Sequence, residues 1–416
     1  MEQDHKNPRH DGGCFYCGSQ GPFTEEHAVC AGLGGDDRAW LLKDCVCGVC
    51  NTDIFSKLET KFLRASPAAL ARLFLQPRTR DKSGVPSVQP KTSYIREPAT
   101  GILLEAELGA GESSEILPQL VFTDAQQAAV TGPDVASTIA FLSELQKALF
   151  DDVALIEKTK QGVEVIYQIT HLSWKEAFYV AGEVTTASRP PKAGIWIEPL
   201  IRPETTPDGP PLLPRIFRRK AGQLVCRVNA NEHAAMFMTI LRNAPELTET
   251  IKVGASAKVN GQPEFHQRYN MDMVAYDRVL TKIGLNLVAK LLGLTLIRNP
   301  AFDAAVAYAR EGVGGVYKYS PDRSVQFADC LGPALVDRHT LALLPGPNRN
   351  GGHAVVFMAR LYGGPMEGLR LAEFDTPIPG LEKPILVHVD YVNHKIERLT
   401  LEEHATRIVM ESGGVA

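Results

Sequence analysis

The chain has 416 residues, enough for two or three domains at roughly 150 residues each. Hydrophobic residues make up 44% and charged residues 22%, which excludes a wholly disordered chain and allows a large core without metal or disulfide. Lys and Arg number 44 against 48 Asp and Glu, a net charge of -4. A basic coat is therefore excluded, and any nucleic-acid contact must be a local patch.

The first ten residues, MEQDHKNPRH, are polar and charged, with no apolar core of a secretory signal. No stretch reaches the roughly 18 apolar residues of a membrane span. The best run, near Leu285–Ile297, is broken by Lys290. A soluble, cytoplasmic protein without membrane contact is expected.

Six of the eight cysteines fall within the first 50 residues. Cys14-Phe-Tyr-Cys17 and Cys47-Gly-Val-Cys50 are two CxxC knuckles, each able to turn two thiolates toward one tetrahedral ion. Four sulfur ligands suit a structural zinc ion. Between the knuckles lie 29 residues, Gly18 to Val46, room for a β-hairpin. Cys45 is an alternative to Cys47, with poorer spacing to Cys50. Cys30 reads as a small buried hydrophobe, and Cys226 and Cys330 as core residues.

Within the loop stands Glu25-Glu26-His27, then Leu33-Gly34-Gly35, and directly after the second knuckle comes Asn51. CxxC, Glu-His, Leu-Gly-Gly and CxxCN together resemble the HNH endonucleases, in particular their zinc-knuckle subgroup, over about residues 12–65. The resemblance implies a small ββα-metal module, with a hairpin carrying Glu26-His27 and a helix beginning near Asn51. It makes His27 the general base and gives Glu26 and Asn51 one catalytic divalent ion, Mg²⁺ or Mn²⁺. An imidazole titrating near neutrality suits proton abstraction from water, and a hard cation suits the charge on the leaving oxygen. Neighbouring residues on a regular strand face opposite ways. Glu26 and His27 therefore converge only where the strand bends or ends.

The chain departs from the family pattern twice. Cys30 stands where the family has proline. Glu59 and Thr60 stand near the third motif position, in place of His or Asn. Glu59 is a candidate additional metal ligand, or else a helix residue paired with a nearby lysine.

After Asn51 the spacing predicts a helix over 52–64, with Ile54, Phe55, Leu58 and Phe62 on an apolar stripe and Lys57, Lys61 and Arg64 on a basic one. From Ile54 to Arg80 six basic residues face one acidic. That is the local patch for nucleic acid.

Prolines between Gln76 and Gly101 suggest a linker, placed at 81–100 between a nuclease module at 1–80 and an α+β domain at 101–260. A second proline-rich stretch spans Arg189–Pro214. Residues 261–416 read as helical, then strand-rich, and form either a further region or one domain with 101–260. Helices are expected at 134–150, 231–242, 273–292, after Asn299-Pro300, and at 400–410. Strands are expected at 163–169 and 384–392, with a hairpin from 340–344 and 354–362. On the helix at 273–292, Arg278, Lys282, Asn286 and Lys290 recur at one spacing. Arg278 and Lys282 read either as phosphate contacts or as the basic rim of a buried amphipathic helix. His353, His388 and His394 lie on or near strands without metal-ligand spacing.

The resulting expectation is an α+β protein: an HNH zinc-knuckle module followed by a larger mixed region. It would hydrolyse phosphodiester bonds, of DNA by preference. The large remainder would select the target, bind a protein partner or sense a signalling ligand. Bacterial HNH proteins of this build resemble parts of mobile elements and antiphage defence, an analogy of build alone. One module cuts one strand, so a double-strand break needs a homo-oligomer or two events. The rival expectation is a zinc-knuckle nucleic-acid-binding protein that has lost catalysis with the third motif residue.

Overall fold

The computed structural model describes residues 12–76, 90–98, 100–108, 114–123, 128–149, 152–161, 164–200, 212–229, 232–243, 264–269, 271–348 and 350–412. The architecture is α+β. The chain forms two compact units: Met1–Gln89 with Asn270–Ala416, and Pro90–Tyr269. The second unit is thus inserted, in sequence, into the first. The junction at Gln89–Pro90 lies within the expected linker, and Tyr269 lies near the expected limit of 260; the sequence reading did not join the N- and C-terminal parts in one unit.

In the first unit, one hydrophobic cluster runs from Cys14 and Phe15 through Phe55 and Phe62 to Val279, Leu287, Phe357 and Tyr391. The N-terminal module therefore has no core of its own. A helix, Met273–Leu291, supplies the centre. Asp272 caps it by accepting from the Ala275 N–H at 2.8 Å. Every residue from Val279 to Ala289 on it is buried. Its apolar residues surround the polar stripe instead of leaving it on a rim. At Gly284 a Cβ would come within 2.9 Å of Phe357 and Leu371, so the small residue lets the helix lie close on the sheet beneath.

That sheet has six antiparallel strands in the order Tyr317–Lys318, Met366–Phe374, His353–Arg360, Arg338–Pro347, Ile385–Asp390, Lys395–Leu399. The expected hairpin is its centre, with Leu341 opposite Ala359. The Asn299-Pro300 signal starts a helical turn at Pro300–Phe302 that leads into the helix Asp303–Glu311. The last described helix is Leu401–Ser412. No described helix is long and apolar enough to cross a membrane.

The inserted unit carries an eight-stranded mixed sheet and a four-stranded sheet. Pro90–Arg96 is a strand of the latter, so the second half of the expected linker is sheet. Residues 77–89 lie outside the described residues, as do 201–211 of the second proline stretch, while Ile195–Pro199 is a strand in parallel register with Leu224–Val228. The expected helix at 134–150 is Val135–Ala148, and the one at 231–242 is Glu232–Asn243. Arg227 is buried here, donating to Tyr94, Glu105 and Glu198.

Candidate functional site

The two knuckles meet. The sulfurs of Cys14, Cys17, Cys47 and Cys50 all lie within 4.8 Å of one another, and Cys17 and Cys47 are 3.6 Å apart. A tetrahedral zinc–thiolate with bonds of about 2.3 Å places its sulfurs roughly 3.8 Å apart. The four thiols therefore fit one such ion. Cys50 lowers Cys14 to about 5 through a thiol hydrogen bond, with backbone amides of Cys47, Tyr16 and Cys17 adding to the effect against burial. Arg310 lies against the Cys50 sulfur. Such donors stabilise thiolates and favour metal binding. Zinc bound here would cross-link the chain's first and second knuckles and supply folding energy, not a reactive centre.

Cys45 stays outside the cluster. It is buried, and burial pushes its thiol to about 11. Cys47, not Cys45, is the fourth ligand candidate. Cys226 is buried as expected, but Cys330 is exposed on the outer face of the helix Pro321–Leu331. An apolar sequence neighbourhood does not say which face of a helix a residue takes.

Between the knuckles runs a short antiparallel pair, Glu26–His27 with Leu41–Leu42. The strand stops at His27 and bends over Ala28–Val29, which meets the condition for the two side chains to turn toward one region. The helical segment starts within the second knuckle, as a wide turn at Val49–Phe55, and continues as Ser56–Phe62. A second helix begins at Pro67, with the proline in its first turn.

Asn51 is anchored at its amide nitrogen. Its amide nitrogen donates to the Glu25 carbonyl at 2.9 Å and to the Thr24 hydroxyl at 3.0 Å. It staples the helix to the hairpin. Glu26 is 3% exposed, and its carboxylate accepts from the Lys282 ammonium at 2.5 Å. Lys282 also donates to Glu59. The Glu26 carboxylate is thus engaged by Lys282 and Asn286, and with them in place it does not hold a divalent ion beside Asn51. The carboxylates that do converge are Glu26 and Glu59, and the cation between them is Lys282.

The surrounding groups complete this arrangement. Asn286 donates to the His27 carbonyl at 2.9 Å and to Glu26 at 3.3 Å, and accepts from the Tyr16 hydroxyl at 2.7 Å. Burial raises the Glu26 carboxyl against the pull of Lys282. Burial opposes ionisation of Glu59 too, but Lys282, the Cys30 thiol and the nearby His27 outweigh it and hold that carboxyl below its ordinary value. The two carboxylates likewise outweigh burial at Lys282 and keep it an ammonium. His27 is half-buried beside Glu59.

The sequence stripe Arg278, Lys282, Asn286, Lys290 does not point to phosphate. Arg278 caps the helix Asp303–Glu311 through the carbonyls of Ala309 and Arg310, and Lys290 donates to the Leu41 carbonyl at 3.1 Å. Lys57, Lys61 and Arg64 are exposed, with Lys61 4.0 Å from Asp272. Arg72 is buried and donates to the Gly32 carbonyl, so it leaves the basic patch. Arg78 and Arg80 lie outside the described residues.

His388 and His404 pair at 2.8 Å, and His404 bonds the Leu331 carbonyl at 2.8 Å. Among the described residues, the four cysteines are the one metal-competent group of three or more His, Cys, Asp or Glu. Neither a family model, nor a curated protein, nor a solved structure matches this chain.

Proposed function

We propose that the chain is an HNH-type endonuclease whose module, residues 12–65, is built into the larger first unit. The observation that carries this reading is the hairpin bearing Glu26-His27, held against the helix of the second knuckle by the Asn51 amide and framed by the four-thiol cluster. In it His27 accepts the proton of the attacking water. Glu59 beside it favours the imidazolium that results. The exposed Lys57, Lys61 and Arg64 hold the phosphate backbone. Zinc on the four cysteines keeps hairpin and helix in register. DNA is the proposed substrate, and the inserted unit the proposed place for target choice, a partner or a ligand.

A second reading has its own support. The Lys282 ammonium neutralises both carboxylates, as suits a module that binds nucleic acid without cutting it.

Conversion of supercoiled plasmid by the full chain, with Mg²⁺, Mn²⁺ or EDTA and beside His27→Ala, separates the two. Metal-dependent cutting that His27→Ala abolishes is expected. Binding without turnover in any divalent metal moves the assignment to the second reading. Cutting that survives in His27→Ala removes His27 as the base.

A further inference from the structure

We propose that the Lys282 ammonium is the resident cation of the Glu26–Glu59 pair, closing with this chain's own side chain the seat that a divalent metal would take under the nuclease reading, on which this inference rests. The geometry is that of a filled site. Nζ of Lys282 lies 2.5 Å from Oε1 of Glu26 and bonds Oε1 of Glu59. The carboxylates have further partners: the Asn286 amide on Glu26 and the Cys30 thiol on Glu59. The Phe55 ring lies 5.3 Å from the ammonium.

Lys282 is poorly placed to leave. It is 1% exposed and stems from the middle of a helix buried continuously from Val279 to Ala289. Surface lysines swing into water. This one would have to carry an unpaired charge through apolar packing, which costs far more than the surface motion. A divalent ion entering with Lys282 in place would bring two further positive charges against two carboxylates already half neutralised. Glu59, at 21% side-chain exposure, offers the way in from solvent. The lysine stands behind it.

The test is Mn²⁺ binding to the full-length, zinc-loaded chain, read from the electron paramagnetic resonance of free Mn²⁺. Wild type and Glu59→Gln are expected to give superimposable isotherms. A wild-type site that Glu59→Gln removes would show the metal displacing the lysine and would overturn the inference. Lys282→Met keeps the unbranched apolar stem, ends one atom short of the Nζ position, and removes the charge. Provided circular dichroism shows it folded, it is expected to gain one Mn²⁺ site about tenfold tighter than any in wild type, as for a new hard-oxygen site. That site should disappear in Lys282→Met/Glu59→Gln. A folded Lys282→Met with no new site overturns the inference. Should Lys282→Met fail to fold, the Glu59→Gln comparison decides alone. Plasmid cutting by the same wild-type sample separates the two readings. Superimposable isotherms without cutting in any metal keep the resident lysine and sink the nuclease. Superimposable isotherms with Mg²⁺-dependent cutting keep both, and move the required metal off this pair.

Discussion

Lys282 illustrates why a charge deep in a protein is not disposable. Two carboxylates and an ammonium have left water together, and their mutual attraction offsets a desolvation cost of several kcal/mol per ion. Removing one member leaves the others stranded, at roughly 3–5 kcal/mol. Asn286 is the neutral counterpart. Asn286→Ala would leave the Tyr16 hydroxyl and His27 carbonyl without this partner, at about 1–3 kcal/mol for each group left unpaired. We expect a lower urea midpoint for Asn286→Ala with an unchanged slope; an unchanged midpoint would mean that water replaces the amide. Two histidines set the acid limit. His339 is fully buried. Its Nδ1 accepts from the Tyr362 N–H, which leaves Nε2 to donate to the Leu33 carbonyl, so the ring is neutral. Burial lowers it to about 3, and burial, with His404, Arg407 and Arg338, does the same to His388. An unfolded histidine titrates near 6.5. Below that pH the unfolded chain takes up protons that the folded chain refuses. Stability is therefore complete above about pH 6.5 and falls as pH drops toward 3, by up to about 1.4 kcal/mol per pH unit for each ring. Urea midpoints at pH 7.5 and pH 5 should differ accordingly, and His339→Gln should flatten the difference. Equal midpoints for the wild type would refute buried neutral rings.

At the scale of elements, the Leu33-Gly34-Gly35 turn does more than reverse the chain. Gly34 has φ +82°, and a Cβ there would lie 2.4 Å from the Tyr391 Cα. The turn presses backbone to backbone against the C-terminal sheet, and nearby Trp40 donates to the Ile396 carbonyl at 3.0 Å. Gly34→Ala meets both a left-handed conformation and a clash with main chain. It should cost more than the roughly 1 kcal/mol of a compatible Gly-to-Ala change and lower the melting temperature; a neutral result would mean that the sheet edge yields. The helix Ser56–Phe62 buries Leu58 and Phe62 while Lys57 and Lys61 face solvent, the division that its period predicted. Under the proposed function, Lys57→Glu with Lys61→Glu should weaken DNA binding equally across sequences. It should also reduce the dependence of log affinity on log salt by roughly one for each phosphate that the stripe no longer neutralises. An unchanged salt slope would return the stripe to an ordinary solvated face.

For the whole molecule, the decisive feature is a shared core. Tyr16, Phe55 and Phe62 pack in the same cluster as Tyr276, Ile283 and Phe357, and Phe62 stacks on Tyr276 at 5.6 Å. A fragment ending at residue 89 should therefore show no cooperative unfolding transition even with zinc, because most of its apolar partners lie beyond residue 270. A cooperative, zinc-bound fragment would contradict this. Zinc itself should bind once per chain. Cys47→Ser should lose most of its affinity, and Cys45→Ser should keep it, by metal titration with a chromophoric chelator. The reverse result would exchange the two cysteines.

The sequence by itself determined what depends on near neighbours. Two CxxC spacings turn four thiols toward one ion. A 3.6-residue period marks the helices at 135 and 273, and strand-like runs flanking Gly351-Gly352 mark the central hairpin of the C-terminal sheet. Cys45 and Cys47 differ by only two positions, and spacing favoured the pair that the fold brings together. The Glu-His hairpin and the helix that follows the second knuckle were likewise legible as a local pattern, whereas the bonds by which Asn51 staples the two were not. The tertiary structure alone decided which charges meet. Lys282 and Glu59 are 223 residues apart in sequence. Nothing local distinguishes a lysine on a helix rim from one that closes a carboxylate pair, because the interaction is short-ranged in space and the chain that brings it about is long. That the N- and C-terminal parts share one core was hidden for the same reason. Prolines report where the backbone is stiff, whereas a domain is defined by which apolar faces bury one another.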